Sequence, residues 1–215
     1  SGNSRIQKYG LYLGNPEGYL PKPTIWTATG MRQLRASAEG QPFTINDIGE
    51  MRTYVALDGS GEELIESPEP GGIWTGITVV PISGEVFALL WLPDEGVAKI
   101  YEWLAGGFGR SRDDTGPEFR ADLEGVDTMP GRFSVDRKER YFVIMPEENE
   151  IRRFGIDGAL HLKWGGEGAG PGEFNGPTGI QAGVIGVYVA DTGNNRIQRF
   201  DAEGAFVLEW GGEGL

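Results

Sequence analysis

The chain has 215 residues, with 36 glycines and no cysteine, and its 32 acidic against 19 basic side chains leave a formal net charge of −13. The absence of cysteine excludes disulfides, a thiol nucleophile and cysteine-ligated zinc; the charge opposes the phosphate backbone of nucleic acid; and no apolar run reaches the roughly 20 residues of a membrane-spanning helix. Apolar residues still make up 39%, enough to offset chain entropy, so short strands joined by glycine turns are expected rather than disorder.

Taken in order, the chain opens on Ser1–Gly10, SGNSRIQKYG, a polar turn followed by a strand. It begins inside this pattern and without a methionine, so a processed, excised or partial form of a longer precursor is expected. Thr24–Thr29 and Met31–Ser37 read as two strands divided at Gly30, and Phe43–Ile45 as a third. Arg52–Leu57, a turn at Asp58–Gly61, and Glu62–Glu66 read as a hairpin. Ile73–Val80 then precedes a second hairpin, built from Val86–Trp91, Leu92–Gly96 and Val97–Trp103. The longest insertion between units is 104–131. Loops of that length in compact domains tend to be functional or disordered, so Arg110, Arg112, Asp113 and Asp114 at its centre are the candidate partner-binding residues, with a solvated loop as the alternative. Tyr141–Ile144 and Ile151–Phe154 form a third hairpin, and Val187–Phe200, VYVADTGNNRIQRF, is the clearest of all. No stretch carries a helical period.

The hairpins are copies of one another. Ile151–Gly168 and Ile197–Gly214, 46 residues apart, share eleven of eighteen positions, including the block Trp164–Gly168 against Trp210–Gly214. Ser1–Gly10 repeats Thr192–Asp201, with Gly2, Asn3, Arg5, Ile6 and Gln7 identical. A fixed period of this size, strand after strand, indicates the blades of a β-propeller. Between Trp164 and Asp201 the pattern Trp-Gly-x-x-Gly, Gly-x-Phe-x-x-Pro-x-Gly-Ile and Val-Tyr-Val-Ala-Asp-Thr-x-Asn-x-Arg-Ile-Gln-x-Phe-Asp resembles the NHL repeat. The match is partial in Ser1–Gly10, Tyr141–Phe154 and Phe206–Gly214 and weak from Leu11 to Arg140. The resemblance implies an all-β propeller. Counting hairpins gives five or six blades in a single domain, residues 1–215, closed by pairing Trp210–Leu215 with Ser1–Gly10.

Asp191, Asn194, Asn195 and Arg196 could form a polar or calcium site. Because the motif recurs at Gly2, Asn3 and Arg5, a structural turn is the favoured reading, since a catalytic site is built once rather than in every blade. The single histidine, His161, replaces Val207 of the next repeat and reads as a strand residue. It cannot supply the zinc site of the peptide-amidating propeller lyases, which resemble this fold and use several histidines, nor does any Gly-x-Ser-x-Gly accompany it. No cofactor is expected. The alternative is a divalent cation in the central channel, as in gluconolactonase-like propellers, with Asp47, Asp94, Glu95, Asn149 and Asp191 as candidate ligands. Trp26, Trp74, Trp91 and Trp103 either stack on a sugar or fill the space between blades. Some NHL propellers bind RNA on a basic face; the net charge opposes this, apart from Arg32, Arg35 and Arg52. The expected function is therefore a non-catalytic, protein-binding or scaffold propeller within a larger extracellular or periplasmic assembly. A metal-dependent hydrolase or lactonase, or a carbohydrate-binding propeller, is the alternative.

Overall fold

A run of alternating β-branched and aromatic residues, closed at both ends by glycine or asparagine, has one inexpensive backbone solution, the strand of an antiparallel meander. In the computed structural model, which describes residues 5–8, 24–27, 31–36, 42–46, 48–54, 62–80, 85–103 and 117–212, that solution recurs along the chain. Strands β1 (Arg5–Lys8) and β2 (Thr24–Thr27) form a two-stranded sheet. The first blade comprises β3 (Met31–Ala36), β4 (Pro42–Asn46), β5 (Met51–Tyr54) and β6 (Glu62–Ile65). The second comprises β7 (Ile73–Val79), β8 (Val86–Leu92), β9 (Val97–Trp103) and β10 (Glu118–Leu123). The third comprises β11 (Phe133–Val135), β12 (Tyr141–Met145), β13 (Glu150–Phe154) and β14 (Leu160–Gly165). The fourth comprises β15 (Pro177–Gly183), β16 (Gly186–Asp191), β17 (Arg196–Phe200) and β18 (Phe206–Gly211). A 3-10 turn at Thr192–Asn194 is the helical element among the described residues.

The first strands of successive blades, β3, β7, β11 and β15, pack side by side and surround the axis of a β-propeller. Three apolar clusters fill the gaps between blades. Phe43, Ile45 and Met51 meet Trp74, Ile77, Leu90 and Trp103 between the first and second. Phe87, Leu89 and Ile100 meet Phe133, Tyr141, Val143 and Phe154 between the second and third. Phe142, Ile144 and Ile151 meet Phe174, Val187, Val189 and Phe200 between the third and fourth. Strand β8 is buried at every position, because neighbours cover both faces of its sheet. Each fully buried aliphatic or aromatic side chain here contributes about 1.5–3 kcal/mol relative to exposure.

The expected five or six blades are corrected to four complete ones among the described residues. Counting hairpins overestimated the number, because Met31–Ala36 is the first strand of the blade that also holds Phe43–Ile45, and Arg5–Lys8 enters a sheet of two strands among the described residues. Closure of the ring through the chain ends is not shown. Among the described residues none covers the far face of the fourth blade. Tyr188, Ile197, Leu208 and Trp210 occupy the places that Phe142, Ile151, Leu162 and Trp164 hold in the third. Trp164 lies 5.7 Å from Phe200 of the following blade, whereas among the described residues Trp210 has its ring contact with Tyr188 of its own blade, at 6.0 Å, and it is 45% exposed.

The 46-residue repeat is matched in φ at its shared turn asparagines and glycines. Asn149 and Asn195 both adopt left-handed backbone, with φ 53° and 54°, and their carbonyls accept the N–H of Gly166 and Gly212, each at 2.8 Å. Of the stretch 104–131, residues 118–123 are β10, hydrogen-bonded to β9 as the outer strand of the second blade, and 104–116 lie outside the described residues.

Gly158 ties the third blade to the second: its carbonyl accepts the Glu124 N–H at 3.0 Å, and at φ 80° a Cβ would stand 1.9 Å from the Asp122 carbonyl oxygen. Gly158→Ala is expected to cost about 2 kcal/mol or more in unfolding free energy. Chemical denaturation of variant and parent checks this; equal midpoints would contradict the contact.

Candidate functional site

At one end of the propeller axis the links between blades and the turns after the second strands of the first and third blades surround a cavity of about 640 Å³. All four blades contribute: Gln33 on β3, Ile48–Gly49 after β4, Ile73–Thr75 on β7, Met129–Arg132 before β11, Pro146 after β12, and Pro177–Thr178 on β15. The walls are mainly apolar, and Ile48 and Met129, 71% and 43% exposed, form the rim. Arg132 is the one charged residue among the lining groups. Gln33 is already committed: its Nε2 donates to the Thr75 carbonyl at 2.6 Å and its Oε1 accepts the Ile77 N–H at 3.2 Å, bracing the first strand of one blade to that of the next. Ser134 does the same between the third and fourth blades, accepting the Ala182 N–H at 2.9 Å. Thr178 and Thr192 share a hydroxyl hydrogen bond of 2.5 Å. Two residues along from the lining Pro146, on the same turn, is Glu148. Thr128 Oγ1 donates to its Oε1 at 2.8 Å, while Oε2 is buried without a hydrogen bond.

Asp191 lies outside the cavity, at the hub of the fourth blade. It is fully buried, and its Oδ1 accepts the Asn175 N–H at 2.7 Å. Its Oδ2 accepts from Arg196 Nε at 2.8 Å, Asn194 Nδ2 at 2.9 Å and Gln198 Nε2 at 3.1 Å. Arg196 extends the hub, donating to the carbonyls of Ala169, Gly170 and Glu173 in the glycine-rich link. The Asp-x-x-Asn-x-Arg spelling is therefore a clamp that holds the link between blades against β16 and β17. Of its copy in Ser1–Gly10, Gly2 and Asn3 lie outside the described residues and Arg5 begins β1.

The remaining candidates are scattered. Arg110, Arg112, Asp113, Asp114 and Asp47 lie outside the described residues. Asp94 and Glu95 are exposed in the β8–β9 turn, and Asn149 accepts the Gly176 N–H at 2.8 Å. Among the described residues no three His, Cys, Asp or Glu side chains come together as metal ligands. Trp74, Trp91 and Trp103 are buried between blades and present no sugar-stacking surface; Trp26 has no described side chain. His161 is exposed on β14, and Arg52 pairs with Glu50 at 3.2 Å. Away from the mouth, Glu102 is buried against Arg120; burial raises its carboxyl above the ordinary range and the arginine opposes the rise.

The sequence reading missed the mouth. The repeat gave no signal for it: at the 46-residue spacing Arg132 stands opposite Thr178 and Pro146 opposite Thr192, but residues 126–140 and 172–186 share no identity, so nothing in the sequence singles the lining residues out.

No protein-family model matches this chain, and none of the curated proteins does. Solved structures of similar shape do exist. The virginiamycin B lyase of Staphylococcus aureus superposes with a TM-score of 0.61 at 17% identity, over 97% of this chain and 63% of that one. A streptogramin B lyase gives 0.58 at 17%, over 86% and 55%. A protein of unknown function from Bacteroides caccae gives 0.63 at 12%, over 98% and 73%. This chain thus spans less than two thirds of the length of the two lyases. Identities this low show the fold alone, a β-propeller. The expected role as a non-catalytic, protein-binding scaffold is nevertheless corrected by this finding, since the similar structures include lyases, which are enzymes. In the described part of the chain no helix is long and apolar enough to cross a membrane.

Asp191→Ala would leave Arg196 and Gln198 buried without their shared acceptor. An unfolding cost of about 3–5 kcal/mol is expected, as for one broken half of a buried ion pair. Urea titration of the variant measures it, and a loss below about 1 kcal/mol would rule out the hub as a major support.

Proposed function

We propose that this chain is an NHL-type propeller enzyme of the lyase kind, working at the mouth of its central channel on a ligand with a large apolar surface. The observation that carries this reading is the 640 Å³ cavity at the axis, to which every described blade contributes and in which a single arginine faces mainly apolar walls. A concave, mostly apolar site with few polar groups is the usual form of a small-molecule site. The lyases of similar fold add the reaction class, and one of them is an inactive variant held with quinupristin.

In such a reaction a base removes a proton from carbon beside a carbonyl, the electron pair becomes a carbon–carbon double bond, and the leaving group departs with its bonding pair. Arg132 would hold the carbonyl oxygen while negative charge gathers on it, an interaction stronger in the transition state than in the ground state. Glu148 would take the proton once the ligand displaces its contact with Thr128. Gln33 is spent on blade bracing and takes no part. Incubation with virginiamycin B or quinupristin, followed by mass spectrometry, separates the outcomes. Elimination conserves total mass, whereas hydrolysis adds one water. Arg132→Met is expected to lower kcat/KM by roughly tenfold or more with the fold intact, and Glu148→Gln to lower kcat. Absence of both binding and turnover would overturn the proposal.

The ring, we infer, closes when the sheet of β1 and β2 seats against the far face of the fourth blade. By the repeat, β1 is the counterpart of β17 and β2 of β18, so this sheet is the outer half of a blade, and the face carrying Tyr188 and Trp210 is the one a following blade covers. Deletion of residues 1–27 should expose Trp210 further, with red-shifted emission, and raise binding of a hydrophobic dye. Unchanged fluorescence and dye binding would dismiss this closure.

A further inference from the structure

On the side of the propeller away from the mouth, a groove of about 390 Å³ runs between the third and fourth blades. One bank is the β11–β12 turn, Asp136–Arg140; the other is the tip of the β15–β16 hairpin, where Val184 and Ile185 are 74% and 66% exposed. Phe142, Ala182 and Val187 supply the apolar floor. Two exposed aliphatic side chains at a hairpin tip leave apolar area in water that a bound chain would cover.

Charge on the first bank is unequally used. Arg140 is consumed: its Nε and Nη2 donate to Asp136 Oδ2 at 2.8 and 2.5 Å, and its guanidinium lies 5.7 Å from the Phe142 ring centroid. Glu203 is taken by Arg153 at 2.7 Å and by Arg140 at 3.5 Å. Asp201 Oδ1 accepts the N–H groups of Glu203 and Ala205 at 2.9 Å each. Arg137 and Lys138 remain: both are exposed, and neither side chain is held by a hydrogen bond or ion pair among the described residues. Of the lining residues three are cations (Arg137, Lys138, Arg140) and two are carboxylates (Asp136, Asp201), while Glu203 beside them is offset by Arg153, which leaves a local excess of one positive charge on a chain whose net charge is −13.

We propose that this groove is a binding site for an aliphatic carboxylate, its head between Arg137 and Lys138 and its chain along Val184, Ile185 and the floor. A single negative charge matches the local excess. A phosphate, with nearly two, would reverse it and add repulsion from an acidic surface. An anionic bilayer is disfavoured by the net charge, and a concave strip suits one chain better than a sheet of headgroups. The volume lies within the range of small-ligand sites, roughly 300–1,000 Å³. The site shares no residue with the channel mouth, so it stands or falls independently of the lyase reading.

Isothermal titration with sodium decanoate below its micelle concentration tests the site on the whole chain. Saturable binding of one molecule is expected, absent with decylamine, weakened at least roughly tenfold in Arg137→Glu/Lys138→Glu, and weakened by added salt as an exposed ion contact must be. Val184→Ser/Ile185→Ser should weaken it with the charges intact; these substitutions lie on exposed turns, and circular dichroism checks the fold. No saturable binding, equal binding of decanol or decylamine, or unchanged affinity in the charge-reversed variant would each overturn the proposal. Sedimentation with anionic phospholipid vesicles through the same four residues, without binding of free decanoate, would overturn it in favour of a membrane surface.

Discussion

A four-stranded sheet with apolar side chains on both faces cannot be stable alone, and everything else in this molecule follows from how that is resolved. Each blade presses one face into the preceding blade and offers the other to the next. The alternation of a single strand therefore serves two cores at once: on β12, Phe142 and Ile144 belong to the cluster shared with the fourth blade, while Tyr141 and Val143 belong to the one shared with the second. Remove a neighbour and one of the two sets faces water. The fourth blade illustrates the point, since among the described residues Trp210 keeps its partner Tyr188 and has no counterpart of the phenylalanine that Trp164 finds across the gap.

Apolar stacking sets the spacing of blades but not their angle, and polar contacts supply that. Gln33 and Ser134 pin neighbouring first strands through backbone groups. The Asp191 hub fixes the link that enters the fourth blade, with Arg196 reaching three of its carbonyls. A buried carboxylate with four donors and a guanidinium spread over a glycine-rich link leave little freedom for the chain between blades. The mouth lies at the end of the axis, where such links and the turns after the second strands of the first and third blades converge, so its shape depends on structural residues that never touch it.

The two concave features are set apart by chemistry as well as place. The mouth gathers contributions from every described blade. The groove on the opposite side is made by one bank and one hairpin tip, and is distinguished by cations that their surroundings do not use. Both arise where repeated units diverge: Arg132 opposite Thr178 in the first case, the charged Asp136–Arg140 turn against the short turn at Val184–Ile185 in the second.

By itself the sequence determined the strands, the hairpin turns, the period and hence the propeller, because these depend on local alternation and on glycine and asparagine in left-handed turns. Asn149 and Asn195 take the same left-handed φ although their immediate neighbours differ, because asparagine tolerates that conformation at the same turn position. It also marked the Asp191 turn as recurrent. It did not determine the number of blades, since a hairpin looks the same whether it belongs to a complete sheet or to the pair β1–β2. Only the tertiary structure decided which of 32 carboxylates and 19 cations are neutralised by neighbours, which tryptophans are covered, and which side chains meet at the axis. Those residues are brought together by closure of distant blades rather than by spacing along the chain: Gln33, Trp74, Arg132 and Thr178 lie in four different repeats and become neighbours only because each occupies the same end of its own sheet.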